Sequence, residues 1–173
     1  IIIDLDDFNS DVYGTQQLCL FNNYYGEYCY MPLVAFEGYS GKLIAVMLRP
    51  GRTNKRTNVY GFVRRLIRTL RKRWKKTVII VRGDGMFSSQ KLMEWINNES
   101  KETRNVHFVL GMTAYKPVKD RMAVVYGHME DQYHITHEPQ KTYWRILYRA
   151  KSWNKSQWLA VKVEYNAMGG NIR

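Results

Sequence analysis

The apolar positions of this chain change period several times, and each change marks an element. IIIDLDDF, Ile1 to Phe8, alternates: Ile1, Ile3 and Leu5 fall on one side, and Ile2, Asp4 and Asp6 on the other, the two-residue period of a strand. A polar connection, Asn9 to Gln17, carries Gly14. YMPLVAFE (Tyr30 to Glu37) and KLIAVMLR (Lys42 to Arg49) predict two strands joined by the turn GYSG. Pro32 is tolerated near the start of an edge strand. Pro50-Gly51 ends this hairpin, and Asn54 or Thr57 can cap the helix that follows. In that helix Val59, Phe62, Val63, Leu66, Ile67, Leu70 and Trp74 recur at steps of three and four. VIIVRGDGMFSS, Val78 to Ser89, runs from an apolar strand through Asp84 to a second helix, SSQKLMEWINNES, capped by Ser88 or Ser89. VHFVLGM, Val106 to Met112, is one more strand. Residues 1–112 thus predict an α/β core, a mixed five-stranded sheet with flanking helices. Over residues 113–173 helical periodicity fades. TYWRILYRAKSW and QWLAVKVEYN look like two long paired strands, joined by the polar turn around Asn154 to Ser156, in a β-rich extension.

Composition bounds this picture. The 173 residues fit one domain with an inserted subdomain, and a 14% aromatic share can fill a core. The longest apolar runs are too short to span a bilayer. The chain opens in mid-strand at Ile1 without a methionine, which reads as a piece of a longer protein. Cys19 and Cys29 form no C-x-x-C pair and read as reduced thiols of a cytosolic protein. His134-Ile135-Thr136-His137 has no helix to frame it and reads as no zinc site.

Charge changes the picture more. The net charge is +12, yet between Glu37 and Asp84 there are 14 basic residues and no acidic one. The remainder holds 13 basic and 15 acidic residues, so the whole excess lies in one segment. Such a concentration points to a polyanion, most simply nucleic acid. Arg64, Arg65, Arg68, Arg71, Lys72 and Arg73 lie on the predicted helix and are the candidate phosphate contacts. Trp153 and Trp158 either pack the β extension or stack on unpaired bases.

Candidate chemistry sits on three aspartates. Asp4 and Asp6 project from one face of the first strand, where a carboxylate is uncommon and two repel each other. Asp84 ends the fourth strand between Gly83 and Gly85. Alone it reads as turn punctuation. Together the three suggest a site for a hard divalent cation, Mg²⁺ or Mn²⁺, and phosphoryl chemistry on nucleic acid.

At these residues the chain resembles the RNase H-like catalytic core of DDE-type transposases from bacterial insertion sequences. The resemblance runs through DLDDFNSDVYGTQQ, NNYYGEYCYMPLVAFEGYSGKLIAVMLRPGRTN and RKRWKKTVIIVRGDGMF, and WLAVKVEYN looks like the family's β insertion. It implies that Asp6 is the first catalytic aspartate, with Asp4 as runner-up on the same face, and that Asp84 is the second. It also implies Mg²⁺ or Mn²⁺ as cofactor, and DNA as partner, both the insertion-sequence ends and the target. A homodimer of the full-length protein and a cytoplasmic, nucleoid-associated location go with it. The implied activity is cleavage at the element ends followed by strand transfer. Phe8 stands where the family has a threonine. The family's third carboxylate is a glutamate on a helix after the β insertion. No such helix is visible before Arg173, and Glu164 in VKVEYN reads as a strand glutamate facing solvent. Two further functions are consistent with the residues: an RNase H-like nuclease without strand transfer, and a non-catalytic DNA-binding remnant of a decayed element.

Overall fold

A computed structural model describes residues 1–52, 58–101 and 105–173. It forms two compact units, Ile1–Gly111 and Met112–Arg173.

The first unit is built on a five-stranded sheet. Its strands are β1 (Ile2–Asp7), β5 (Leu33–Glu37), β6 (Leu43–Met47), β7 (Ile79–Gly83) and β8 (Val106–Leu110), ordered β6-β5-β1-β7-β8. β5 and β6 form the expected antiparallel hairpin, β5 lies antiparallel to β1, and β1, β7 and β8 run parallel. The mixed α/β sheet predicted from the periodicities is therefore present. β5 is an interior strand, however, so Pro32 does not sit on an edge. It lies just before Leu33, where its missing N–H removes no ladder bond.

Helices α1 (Val59–Arg73) and α2 (Gln90–Lys101) cover one face of the sheet. Val59, Phe62, Val63 and Ile67 of α1 and Leu92 and Ile96 of α2 share a buried core with Ile3, Leu5, Ala35, Ile79 and Val81. Ser89 caps α2, its Oγ accepting the Leu92 N–H at 3.2 Å. The cap candidates of α1, Asn54 and Thr57, lie outside the described residues. Asn58 occupies the N-cap position in the left-handed region, φ 68°, with no side-chain cap bond.

The expected polar connection after β1 contains more order than its composition announced. β2 (Ser10–Asp11), β3 (Leu20–Asn22) and β4 (Glu27–Tyr30) form a small antiparallel sheet ordered β2-β4-β3. Ser10 pairs with Tyr30, and Asp7 with Leu33, so this sheet prolongs the β1–β5 ladder past a short break.

The second unit corrects an expectation. Residues 116–136 form a helix of 21 residues, α3 (Lys116–Thr136), where fading periodicity predicted none. Its core stripe is narrow: Val118 and Met122 are buried, and Val125 and Met129 partly so. Val124 and Ile135 point to solvent, and these apolar residues on the wet side blur the 3.6-residue signal. α3 packs on β9 (Gln140–Tyr148) and β10 (Gln157–Asn166), the two predicted long strands, and on a third, β11 (Gly169–Ile172). β11 escaped notice because Gly169-Gly170 is weak strand sequence. Among the described residues no helix is long and apolar enough to cross a membrane.

Candidate active site

The DLDD stretch of β1 presents three aspartates in three environments. Asp7 follows Ile3 and Leu5 by alternation and turns to the core side. Its carboxylate pairs with Arg49 at 2.6 Å, and the two side chains are 8% and 2% exposed. Arg49 Nε also donates to the Met31 carbonyl at 2.8 Å, so the pair ties β1 to the ends of β5 and β6. Asp4 faces the opposite side of the sheet. There it accepts two hydrogen bonds from Arg82, from Nε at 2.6 Å and Nη2 at 2.5 Å. This pairing raises the Arg82 pKa above its ordinary value, chiefly through those hydrogen bonds and then through the charge of Asp4. Asp6 shares the face of Asp4 but is exposed. One of its oxygens, Oδ1, accepts the Asp7 N–H at 2.8 Å. The other has no partner among the described residues.

Asp84 is brought to the same level by strand register. β1 and β7 are parallel neighbours, with Ile2 opposite Ile80, Ile3 opposite Val81 and Asp4 opposite Arg82. Asp6 and Asp84 each lie two residues further on, Asp6 near the end of β1 and Asp84 just past the end of β7, so both come at the carboxyl ends of neighbouring strands. The turn after β7 fixes Asp84. Its Oδ1 accepts the Met86 N–H at 2.8 Å, and its carbonyl accepts the Phe87 N–H at 3.2 Å. The turn reading of Asp84 thus accounts for one oxygen and leaves Oδ2 without a partner among the described residues.

Two glycines make this turn possible. A Cβ on Gly83 would come within 2.8 Å of the buried Phe87 ring, which anchors the turn from below. A Cβ on Gly111 would come within 2.7 Å of the Gly85 nitrogen and 3.0 Å of the Asp84 carbonyl carbon. Gly111 also donates its N–H to the Gly83 carbonyl at 2.9 Å. Gly111→Ala must therefore push on the Asp84–Gly85 backbone. We expect it to cost about 1–3 kcal/mol in chemical denaturation, the usual range for overpacking. It should also displace the Asp84 carboxylate, because two of the three nearest atoms are Asp84 backbone.

The chemistry of these donors fits a hard divalent cation. Asp6 and Asp84 offer exposed carboxylate oxygens on adjacent strand ends, the ligand type that Mg²⁺ and Mn²⁺ take. Among the described residues no group of three or more His, Cys, Asp or Glu side chains is gathered for a metal. Glu164 lies in β10, bonded to Lys162 and paired with Arg173 at 2.9 Å. Those contacts, the Lys162 hydrogen bond first, lower its pKa. His134 stacks near Tyr133 and Tyr165, and His137 ends α3.

The cationic helix divides in two. Arg71 is engaged by the fold: it donates to the carbonyls of Trp74 (2.8 Å), Thr77 (2.5 Å) and Asn105 (3.3 Å), and burial lowers its pKa. Arg64 lies over the Tyr60 ring, 5.4 Å from its centroid, and Arg73 over that of Trp74. Arg65, Arg68 and Lys72, at spacings of three and four, remain exposed on one face. That face points away from the sheet on the side that α1 covers. The carboxylates open on the other side. A helix is about 10 Å thick, so the two surfaces are separated by a whole layer. Trp153 packs edge-on against Tyr148, whereas Trp158 is exposed with Arg145 4.3 Å above its ring.

Arg82 escaped notice as a site residue. It was one of 14 cations in a basic segment. Its distinguishing signal is its place two residues before Asp84, one before the end of the strand that leads to it, and its pairing opposite Asp4 puts it on the face of Asp4 and Asp6.

These features define an α/β domain whose acidic residues end adjacent parallel strands, the edge at which open α/β sheets bind ligands. Residues 1–173 match the model of the family described as transposase DDE domain, group 1, and the chain belongs to that family. A cryo-EM structure of a piggyBac transposase synaptic complex with hairpin DNA is similar, with a TM-score of 0.53 and 14% identity. The likeness covers 92% of this chain and 32% of that one, and at this identity it is a likeness of fold. No curated protein matches the sequence.

Proposed function

We propose that this chain is catalytic-core sequence of an insertion-sequence DNA transposase, acting in metal-dependent cleavage at the element ends and in strand transfer. The observation that supports the proposal is the parallel pairing of β1 with β7, with Asp4 opposite Arg82 and the carboxylates of Asp6 and Asp84 two residues further along the two chains. In this reading Asp6 and Asp84 hold the cation through the oxygens that their turns leave open. When bound, a divalent cation supplies Lewis-acid assistance to the attacking and leaving oxygens of a phosphodiester. The chain itself supplies the rigid placement. The ladder on β1 fixes Asp6, and Phe87, Gly83 and Gly111 fix Asp84. Asp4 acts at one remove, through Arg82. With two carboxylates the expected affinity is weak, on the order of a millimolar. Titration of the chain with Mn²⁺, followed by calorimetry or electron paramagnetic resonance, tests this. No binding at several times that concentration would remove the metal site.

Arg65, Arg68 and Lys72 contact phosphates in this reading, on a stretch of DNA other than the one at the carboxylates, since a layer of helix separates the two surfaces. Changing all three to glutamine should weaken duplex binding and make its salt dependence shallower by up to about 2.7 in log–log slope, some 0.9 per phosphate. Filter binding or fluorescence anisotropy at several salt concentrations measures it, and an unchanged slope would take α1 out of the interface.

A non-catalytic DNA-binding remnant is the second reading, favoured by Glu164 being engaged with Lys162 and Arg173. It predicts salt-dependent duplex binding together with no Mn²⁺ site.

A further inference from the structure

The cleft on the carboxylate face has Asp4, Arg82, Val109 and Gly111 in its wall. Among the described residues of that wall Arg82 is the one cation, and the geometry of its ion pair is specific. Asp4 grips the guanidinium side-on, through Nε and Nη2. Nη1 has no partner among the described residues, and the Arg82 side chain is 48% exposed. A guanidinium carries five donors in a planar fork. Side-on capture by one carboxylate fixes the plane of that fork and leaves an edge pointing outward. If the pair served only to neutralise Asp4, a lysine would do as well, since a point charge needs no plane.

We propose that Arg82, oriented by Asp4, is a phosphate-seating residue that receives a backbone phosphodiester of the DNA strand presented to Asp6 and Asp84. The inference rests on the transposase reading above. Arg82 lies on β7 two residues before Asp84, which stands in the turn just past the strand, and Asp4 lies two residues before Asp6 on β1, so the backbone of the Asp4–Arg82 pair is set about 7 Å behind that of the two carboxylates. Neighbouring phosphates on one strand have a similar spacing. A strand with one phosphate at Asp6 and Asp84 therefore sets an adjacent phosphate near Arg82. The neighbouring walls, Val109 and Gly111, add no charge, so an anion in the cleft would have Arg82 as its cationic partner. Asp4 is a positioning residue here, because its contact is with Arg82.

The test is duplex binding by the whole 173-residue chain, without added metal, across a range of salt. The probe is a fluorescent DNA duplex of mixed sequence. Arg82→Gln should lower affinity roughly tenfold, as for loss of one charge-assisted contact, and make the salt slope shallower by about 0.9. Arg82→Lys should keep the slope and recover only part of the affinity. Asp4→Asn keeps the arginine and should leave the slope unchanged. A structural ion pair behaves otherwise: Arg82→Gln and Asp4→Asn would lower the melting temperature alike and leave both slopes at the wild-type value, which would overturn the proposal. If Arg82→Gln does not fold, the Arg82→Lys result decides: wild-type affinity there would also overturn it. The Mn²⁺ titration is a separate readout. Mn²⁺ binding that Asp84→Asn leaves unchanged would sink the metal reading, whereas an unchanged salt slope with Arg82→Gln sinks only the role of Arg82.

Discussion

Asp84→Asn is expected to weaken Mn²⁺ binding by at least tenfold and to slow Mn²⁺-dependent nicking of supercoiled plasmid by about a thousandfold. The second figure corresponds to losing about 4 kcal/mol of transition-state charge stabilisation. The substitution isolates charge from shape. The Asp84 Oδ1 that accepts the Met86 N–H has an equivalent in asparagine, and asparagine supports the same side-chain turn. Asp84 is exposed, so the melting temperature should hardly move. Asp6→Asn should behave alike, and the double variant should be little worse than either single one, because the two carboxylates act as a unit. Asp4→Asn should affect the metal less, since both Asp4 oxygens already accept from Arg82. If Asp84→Asn binds Mn²⁺ as tightly as the wild type, the assignment of the site is wrong.

The neighbouring aspartate predicts an opposite pattern. Asp7→Ala should cost about 3–5 kcal/mol of stability, the range for breaking a buried ion pair from one side. Arg49 is 2% exposed and cannot turn its charge to water. It also donates to the Met31 carbonyl, so losing the anchor loosens the junction of β1, β5 and β6. Asp6→Ala, one residue earlier, should stay within about 0.5 kcal/mol, as exposed surface changes usually do. Urea denaturation of the two variants side by side measures the contrast. A loss below about 1 kcal/mol for Asp7→Ala would mean that Arg49 is satisfied by its other contacts.

The parts of the fold that were legible are those where one face of an element is buried and the other wet. β1 alternates, α1 carries a broad apolar stripe, and both appear where their periods place them. α3 was hidden because its buried stripe is narrow while Val124 and Ile135 face water. The small β2-β4-β3 sheet was hidden because its short strands are mostly polar or solvent-facing. The phosphate candidates were legible as charge but not as availability. Arg71 looks like its neighbours in sequence, and only the approach of the Thr77 and Asn105 carbonyls commits it to the fold.

The aspartates draw the line between the two kinds of information most plainly. Alternation along IIIDLDDF by itself determined that Asp4 and Asp6 share one face of a strand and that Asp7 takes the other, because side-chain parity is a local property of an extended backbone. It also determined that Asp84 ends a strand beside flexible glycines. Which aspartate is held by a cation and which is open to a ligand was decided elsewhere. Arg82, 78 residues from Asp4, occupies that carboxylate, and Arg49, 42 residues from Asp7, buries the other. Asp6 remains open because, among the described residues, no side chain from a distant strand bonds to it. Asp84 comes to the same edge of the sheet only through the parallel pairing of β1 with β7. Partners this far apart in sequence leave no periodic trace, so the choice among chemically identical carboxylates belongs to the tertiary structure.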